Sequence, residues 1–209
     1  NQILSVTFTN KAAREMQNRV GKILNNQEVG LPWLGTFHSI CAKILRRHSK
    51  AVNLNQNFTI IDQDDQLRLI KSICNAENID IKKISPNFII SLINKWKNFG
   101  WYPENVILKK NENLEKNLLK IYKIYQTKLT DLNACDFGDL ILHCVSIFEK
   151  NQDINEMYSK NFKYILVDEY QDTNLIQSKW LNLLSEKNKN ICCVGDDDQS
   201  IYSWRGAEI

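Results

Sequence analysis

Two adjacent carboxylates, Asp168 and Glu169, close the apolar run Tyr164-Ile-Leu-Val167. The run has no polar alternation, so it reads as a strand covered on both faces in a parallel sheet, where ligands sit at the carboxyl ends of strands. An Asp there can hold Mg²⁺ bound to nucleotide phosphates while the neighbouring carboxylate polarises the attacking water. The competing reading is structural: an isolated Asp-Glu pair at a strand end is more often a cap for the next helix. The flanking residues separate the two.

Asp168-Glu-Tyr-Gln-Asp-Thr-Asn174 resembles motif II of the UvrD/Rep/PcrA group of superfamily 1 DNA helicases, with Tyr170 where the group usually has Phe. Thr7-Phe-Thr-Asn-Lys-Ala-Ala13 is similar to motif Ia of that group, Gly35-Thr-Phe-His-Ser39 to motif Ib, and Val194-Gly-Asp-Asp-Asp-Gln-Ser-Ile-Tyr-Ser-Trp-Arg-Gly-Ala207 to motif III. The four follow the family's order and span nearly the whole chain. The resemblance implies ATP and Mg²⁺ as cofactors, with Asp168 on the metal, Glu169 activating water and Gln199 sensing the γ-phosphate. It also implies single-stranded DNA and duplex junctions as partners, met by Phe8 and Asn10, by Thr36 and His38, and by Tyr202, Trp204 and Arg205. Stacking on Phe8, Tyr202 and Trp204 would read no sequence, because every base has a face to offer. Taken singly, Phe8 also suits a strand core and His38 a structural histidine. Ser203 stands where many relatives have Gly, which would alter the motif III loop without removing either aromatic.

The elements that must carry these residues follow from periodicity. Ile3–Phe8 reads as a strand, and Thr9 or Asn10 caps an amphipathic helix with Ala12, Ala13, Met16, Val20, Ile23 and Leu24 on one face. A helix after Ser39 carries Ile40, Ile44 and Leu45, and its neighbours Lys43, Arg46, Arg47, His48 and Lys50 form a basic cluster suited to phosphates or to a solvated face. Asp62 caps a helix to about Cys74, Ser85-Pro86 opens one to about Asn98, and a longer one runs from about Glu112 to Leu132. Trp96 and Trp101 in this stretch read as packing residues. Asp136-Phe-Gly-Asp-Leu-Ile141 starts a helix whose Leu140, Ile141, Val145 and Phe148 face inward, and it resembles the element with which the helicase chain returns to its first motor domain. After motif II a helix with Ile176, Trp180, Leu181 and Leu184 leads to the strand Ile191–Val194, a β-α-β unit with parallel strands.

The expected fold is therefore α/β: a partial RecA-like parallel sheet with flanking helices, of the P-loop NTPase type, interrupted by an all-helical insertion. Residues 1–45 and 136–209 would form the motor part (subdomain 1A) and 46–135 the insertion (1B). With 209 residues there is enough chain for one substantial core or two small ones, and a net charge of +3 is only weak support for a polyanionic partner. The six cysteines show no metal-like spacing and read as buried, reduced thiols of a soluble cytoplasmic protein; no membrane is expected, since no apolar run approaches the roughly 20 residues that span a bilayer. Three consecutive acids, Asp196–Asp198, lack the alternating ligands and Gly of a calcium loop.

A phosphate cradle of the form Gly-x-x-x-x-Gly-Lys-[Ser/Thr] is not found. At Gly21-Lys22, Met16 occupies the first Gly position and Ile23 the hydroxyl position. In the family that loop lies upstream of motif Ia and the second motor domain downstream of motif III, so the chain reads as a piece of a longer polypeptide, with exposed apolar surface and no useful ATPase of its own. The parent is expected to be an ATP-dependent DNA helicase moving 3′ to 5′. The alternatives are a catalytically inert nucleic-acid-binding module with the same fold, for which the paired acids would have no chemical use, and the motor of a helicase-nuclease.

Overall fold

A computed structural model describes residues 2–24, 30–79, 81, 83–107 and 113–200. In chain order the first half comprises β1 (Ile3–Thr7), α1 (Asn10–Ile23), β2 (Leu34–Thr36), α2 (Phe37–His48), β3 (Thr59–Ile60), α3 (Gln63–Ala76) and α4 (Pro86–Asn98). The second half comprises α5 (Asn113–Asp131), β4 (Ala134–Cys135), α6 (Phe137–Lys150), α7 (Gln152–Asn161), β5 (Tyr164–Val167), α8 (Leu175–Ser185) and β6 (Ile191–Cys193). Of these, β3, β4 and α7 have no counterpart in the sequence reading.

Four strands form one sheet in the order β2-β1-β5-β6, and every pairing is parallel. Parallel strands share a direction, so the turns that follow all four leave from one edge. The register sets Val6 beside Val167 and Thr7 beside Thr36. The β5-α8-β6 unit is parallel, as its pattern implies.

The helix α6 is apolar on every side: Leu140, Ile141, Leu142, Val145, Ile147 and Phe148 are all buried. A helix of that kind belongs inside a core rather than on its surface. Accordingly it lies among α2, α7 and α8 and shares one cluster with Leu4, Val6, Ile165 and Val167 of the sheet. Trp180 of α8 is completely buried there, and truncating such a ring costs about 3–5 kcal/mol.

Coverage on both faces, expected for β5, is not what the chain builds. Ile165 and Val167 are buried, but Tyr164 is 52% and Leu166 43% exposed. The large helices pack on the side of Leu4 and Val6, whereas α1 lies along β1 and β2. An apolar run reports that a strand is hydrophobic, not which neighbours arrive to cover it. Two of the six cysteines lie on β6, the last strand of the described sheet: Cys41, Cys74, Cys135 and Cys144 are buried, but Cys192, on the open face beside Leu166, and Cys193, on the opposite face at the sheet edge, are exposed, contrary to the expectation that all six are interior. All are free thiols. On α1 only Ala13 is buried, and Ile23 and Leu24 of its expected apolar face are exposed.

A second cluster joins Ile70, Ile73 and Cys74 of α3, Ile89, Ile93 and Trp96 of α4, and Leu118, Ile121, Tyr122, Tyr125 and Leu129 of α5. Trp96 stacks on Tyr122 with ring centroids 5.6 Å apart, and Trp101 on Phe99 at 5.0 Å, so both tryptophans are packing residues. The stretch 46–135 is not wholly helical. Where the chain enters and leaves the three helices, β3 and β4 pair in parallel, Thr59 with Ala134 and Ile60 with Cys135. Two-residue strands are too short for any periodicity to register. Leu54 and Phe58 still belong to the first cluster, so the helical layer takes over at β3 rather than at residue 46.

Candidate nucleotide and nucleic-acid site

Asp168 follows the last residue of β5, and its N–H donates to the Val6 carbonyl at 3.0 Å, continuing the ladder one step beyond the strand. At Glu169 the backbone turns into the left-handed region, φ 56°, and a single turn of 3-10 helix, Tyr170–Asp172, follows. Asn174 then caps α8 through a reciprocal pair: its Oδ1 accepts from the Gln177 N–H at 3.0 Å, and Gln177 Oε1 accepts from the Asn174 N–H at 2.9 Å. Neither Asp168 nor Glu169 caps the helix, so both carboxylates are left half-buried and available at the sheet edge.

Gln171 ties this turn to the next strand. It is 5% exposed, its Nε2 donates to Glu169 Oε2 at 2.7 Å, and its Oε1 accepts from the Asp196 N–H at 3.0 Å. The Tyr170 N–H donates to the Val194 carbonyl at 2.9 Å. A β-carbon on Gly195 would lie 2.6 Å from Gln171 Oε1 and 3.2 Å from its backbone N, so only glycine lets the two turns approach this closely. In the turn after β6, Gln199 Nε2 donates to Asp196 Oδ2 at 2.7 Å, which holds the exposed Gln199 side chain beside the same junction.

Asp172 adds a third acid. Burial and then the neighbouring Glu169 charge push its carboxyl up, and its buried Oδ1 finds no hydrogen-bond partner among the described residues. Hard oxygen donors of this kind fit Mg²⁺, which is ordinarily held by one or two carboxylates together with phosphate oxygens rather than by a full protein cage. Consistently, no group of three or more His, Cys, Asp or Glu converges on a metal position among the described residues.

The remaining candidates leave from the same edge. Phe8, one residue past β1, is half-buried with its ring 5.3 Å from that of Phe37. Thr9, not Asn10, caps α1, and Asn10 is exposed at the start of that helix. Thr36 is buried, and its hydroxyl caps α2 by accepting from the Ser39 N–H. His38 is largely enclosed, burial pushes its imidazole below the ordinary value, and its ring lies edge-on to Phe137 at 5.8 Å. Phe137, more than half exposed at the start of α6, thus joins the motif Ib turn in one surface. Tyr202, Ser203, Trp204 and Arg205 lie outside the described residues.

The basic cluster on α2 makes contacts within the chain. Lys43 donates to the Pro32 carbonyl, Arg46 to Gln56 and Phe58 carbonyls while lying over the Phe58 ring, Arg47 sits over Trp33, and His48 pairs with the Tyr158 hydroxyl. Lys43, Arg46 and Arg47 stay exposed while they make these contacts, so they fasten loops and still face solvent.

Sequence reasoning quoted Gln171, Asp172 and Asn174 inside a motif and Phe137 inside another, but gave none of them a role. Nothing local marks a glutamine as buried or a phenylalanine as exposed; both follow from which turns meet.

Fold and site together define an α/β protein whose parallel sheet gathers acids, polar turns and aromatic rings at one carboxyl edge. The chain matches the profile of the UvrD/REP helicase N-terminal domain over residues 1–209, and it belongs to that family. It is 47% identical over 210 residues to a probable DNA helicase II homolog of Rickettsia conorii, covering 99% of this chain and 32% of that protein. It is 48% identical over 211 residues to a DNA helicase II of Rickettsia typhi, with the same coverage, and 45% identical over 207 residues to an ATP-dependent DNA helicase PcrA of Staphylococcus epidermidis, covering 99% of this chain and 28% of the relative. The chain therefore spans about a third of the length of the curated relatives it matches. Among the described residues no helix is long and apolar enough to cross a membrane.

Proposed function

We propose that the protein containing this chain is a cytoplasmic, ATP-dependent DNA helicase that moves 3′ to 5′ along single-stranded DNA and opens duplex at junctions. The chain up to β3 and residues 136–209 contribute to its first motor domain, and the helices α3, α4 and α5 between them form an inserted subdomain. The observation that carries the reading is the meeting of the motif II and motif III turns through Gln171, at the edge from which the motif Ia and Ib turns also leave.

Asp168 would hold the Mg²⁺ that accompanies ATP, which when bound would supply charge neutralisation at the phosphates. Glu169 orients the attacking water and accepts its proton, with Gln171 fixing which oxygen of its carboxylate is free. Gln199 is bonded to Asp196, which Gln171 connects to Glu169, so Gln199 would be placed to carry a change at the γ-phosphate into the motif III loop. Phe8, Tyr202 and Trp204 stack on bases, and Asn10, Thr36, His38 and Arg205 support the strand. The names of the relatives and the intact acids support a working motor over an inert binding module.

The test is single-strand-stimulated ATP hydrolysis by the complete protein, compared with Glu169→Gln. Loss of turnover by about 10²–10⁴-fold with single-strand binding retained is expected. Hydrolysis in neither protein would return the binding-module reading.

A further inference from the structure

At the C-terminal turn of α4 the helical layer enters the motor layer with buried charge. Lys97 is fully buried, and its Nζ lies 2.6 Å from Asp136 Oδ2 and 2.8 Å from Asp139 Oδ1. The two acids also form the capping box of α6, Asp136 Oδ1 accepting from the Asp139 N–H and Asp139 Oδ2 from the Asp136 N–H. From α5, Tyr125 donates its hydroxyl to Asp136 Oδ2 and Gln126 its amide to Asp139 Oδ1. All four carboxylate oxygens are thereby satisfied. A β-carbon at Gly138 would come within 3.0 Å of Lys97 Cδ, so the small residue in Asp-Phe-Gly-Asp makes room for the lysine stem.

The next residue continues the joint towards the acidic turn. Asn98 Oδ1 accepts from Asn174 Nδ2 at 3.1 Å, and Asn174 is the cap that ends the Glu169–Thr173 turn and starts α8. Gly100 then lets the chain reverse against Ile176. One helical turn thus grips the first residues of α6 with Lys97 and the first residue of α8's cap with Asn98.

We propose that this turn is the joint through which the inserted helices set the geometry of the hydrolytic turn, and that Lys97 and Asn98 are positioning residues for it. The proposal rests on the hydrolytic reading of Asp168 and Glu169. Mere attachment of two layers needs only apolar contact; a buried charge on the start of α6 and an amide pair on the start of α8 together favour one orientation. A relative movement of the inserted helices would be felt first at Asn174, five residues after Glu169.

Lys97→Met would strand two buried carboxylates and can unfold the layer, so the half-buried Asn98 provides the decisive variants. The complete protein is compared with Asn98→Ala, which removes the acceptor, and Asn98→Asp, which retains one. The expected result is a single-strand-stimulated kcat lowered about tenfold in Asn98→Ala with KM for ATP and the thermal midpoint nearly unchanged, and recovery in Asn98→Asp. Wild-type kcat in Asn98→Ala, or equal loss in both variants, overturns the joint. Hydrolysis that persists in a parallel Glu169→Gln sample overturns the hydrolytic reading and this role with it.

Discussion

Glu169 occupies φ 56°, ψ 45°, a conformation that costs a residue with a β-carbon about 1–3 kcal/mol. The strain is held by its surroundings: the Asp168 N–H on β1, the Tyr170 N–H on the β6 chain, and Gln171 on the carboxylate itself. Of these, Gln171 is the informative one to change. Gln171→Glu keeps an acceptor for the Asp196 N–H but loses the donor to Glu169 and sets a like charge against it. Gln171→Leu removes both bonds. Both variants of the complete protein are expected to lose at least about tenfold in kcat, whereas a purely structural glutamine would tolerate the Glu form; steady-state ATPase kinetics decide it.

Among the elements, α4 shows how a helix end is terminated and used at once. The Gly100 N–H donates to the Lys97 carbonyl and the Trp101 N–H to the Trp96 carbonyl, both at 2.9 Å, and Gly100 takes φ 78°, which together make a Schellman end. A β-carbon there would also lie 3.0 Å from Ile176 Cδ1. Gly100→Ala is therefore expected to cost about 1–2 kcal/mol through the backbone alone. Differential scanning of the protein should show the transition of this domain lowered by roughly 2–8 °C. The starts of α3, α4 and α6 were readable, because a cap involves residues three positions apart, whereas the Asn174 cap of α8 was quoted in a motif without being read as one. The all-round burial of α6 and the open face of β5 were not, because an apolar pattern does not count its neighbours.

Across the molecule, all three histidines are held neutral. Burial pushes His38 down, burial and then Arg47 push His48 down, and burial outweighs the opposing Asp139 charge at His143, whose Nδ1 meets the Tyr102 hydroxyl at 2.6 Å. For a histidine whose folded value is depressed, the unfolded chain takes up a proton near pH 6.5 that the folded chain refuses, so stability falls as pH drops below that point. Asp139 acts lower on the scale: burial opposes its ionisation, but the Lys97 charge overrules it and holds its carboxyl below the ordinary value. Its contribution is complete above about pH 4 and is lost as pH falls through the folded value. Thermal melts between pH 8 and pH 3 should therefore show a first decline between about pH 7 and 5 and a steeper one below about pH 4. His143→Gln should reduce the first decline and leave the second in place.

The order of the four motifs, the helix starts and the burial of Trp180, Tyr122 and Trp96 were determined by sequence alone, since each depends on residue type or on spacings within a few turns of chain. The functional edge was anticipated in outline for the same reason: parallel strands must place their following turns together. Only the tertiary structure decided that Gln171 bridges two of those turns across 25 residues, that Lys97 answers Asp136, 39 positions away, and Asp139 beyond it, and that Asn98 meets Asn174 across 76. Hydrogen bonds between distant segments leave no local period, and they exist only once packing has excluded water from the groups that make them.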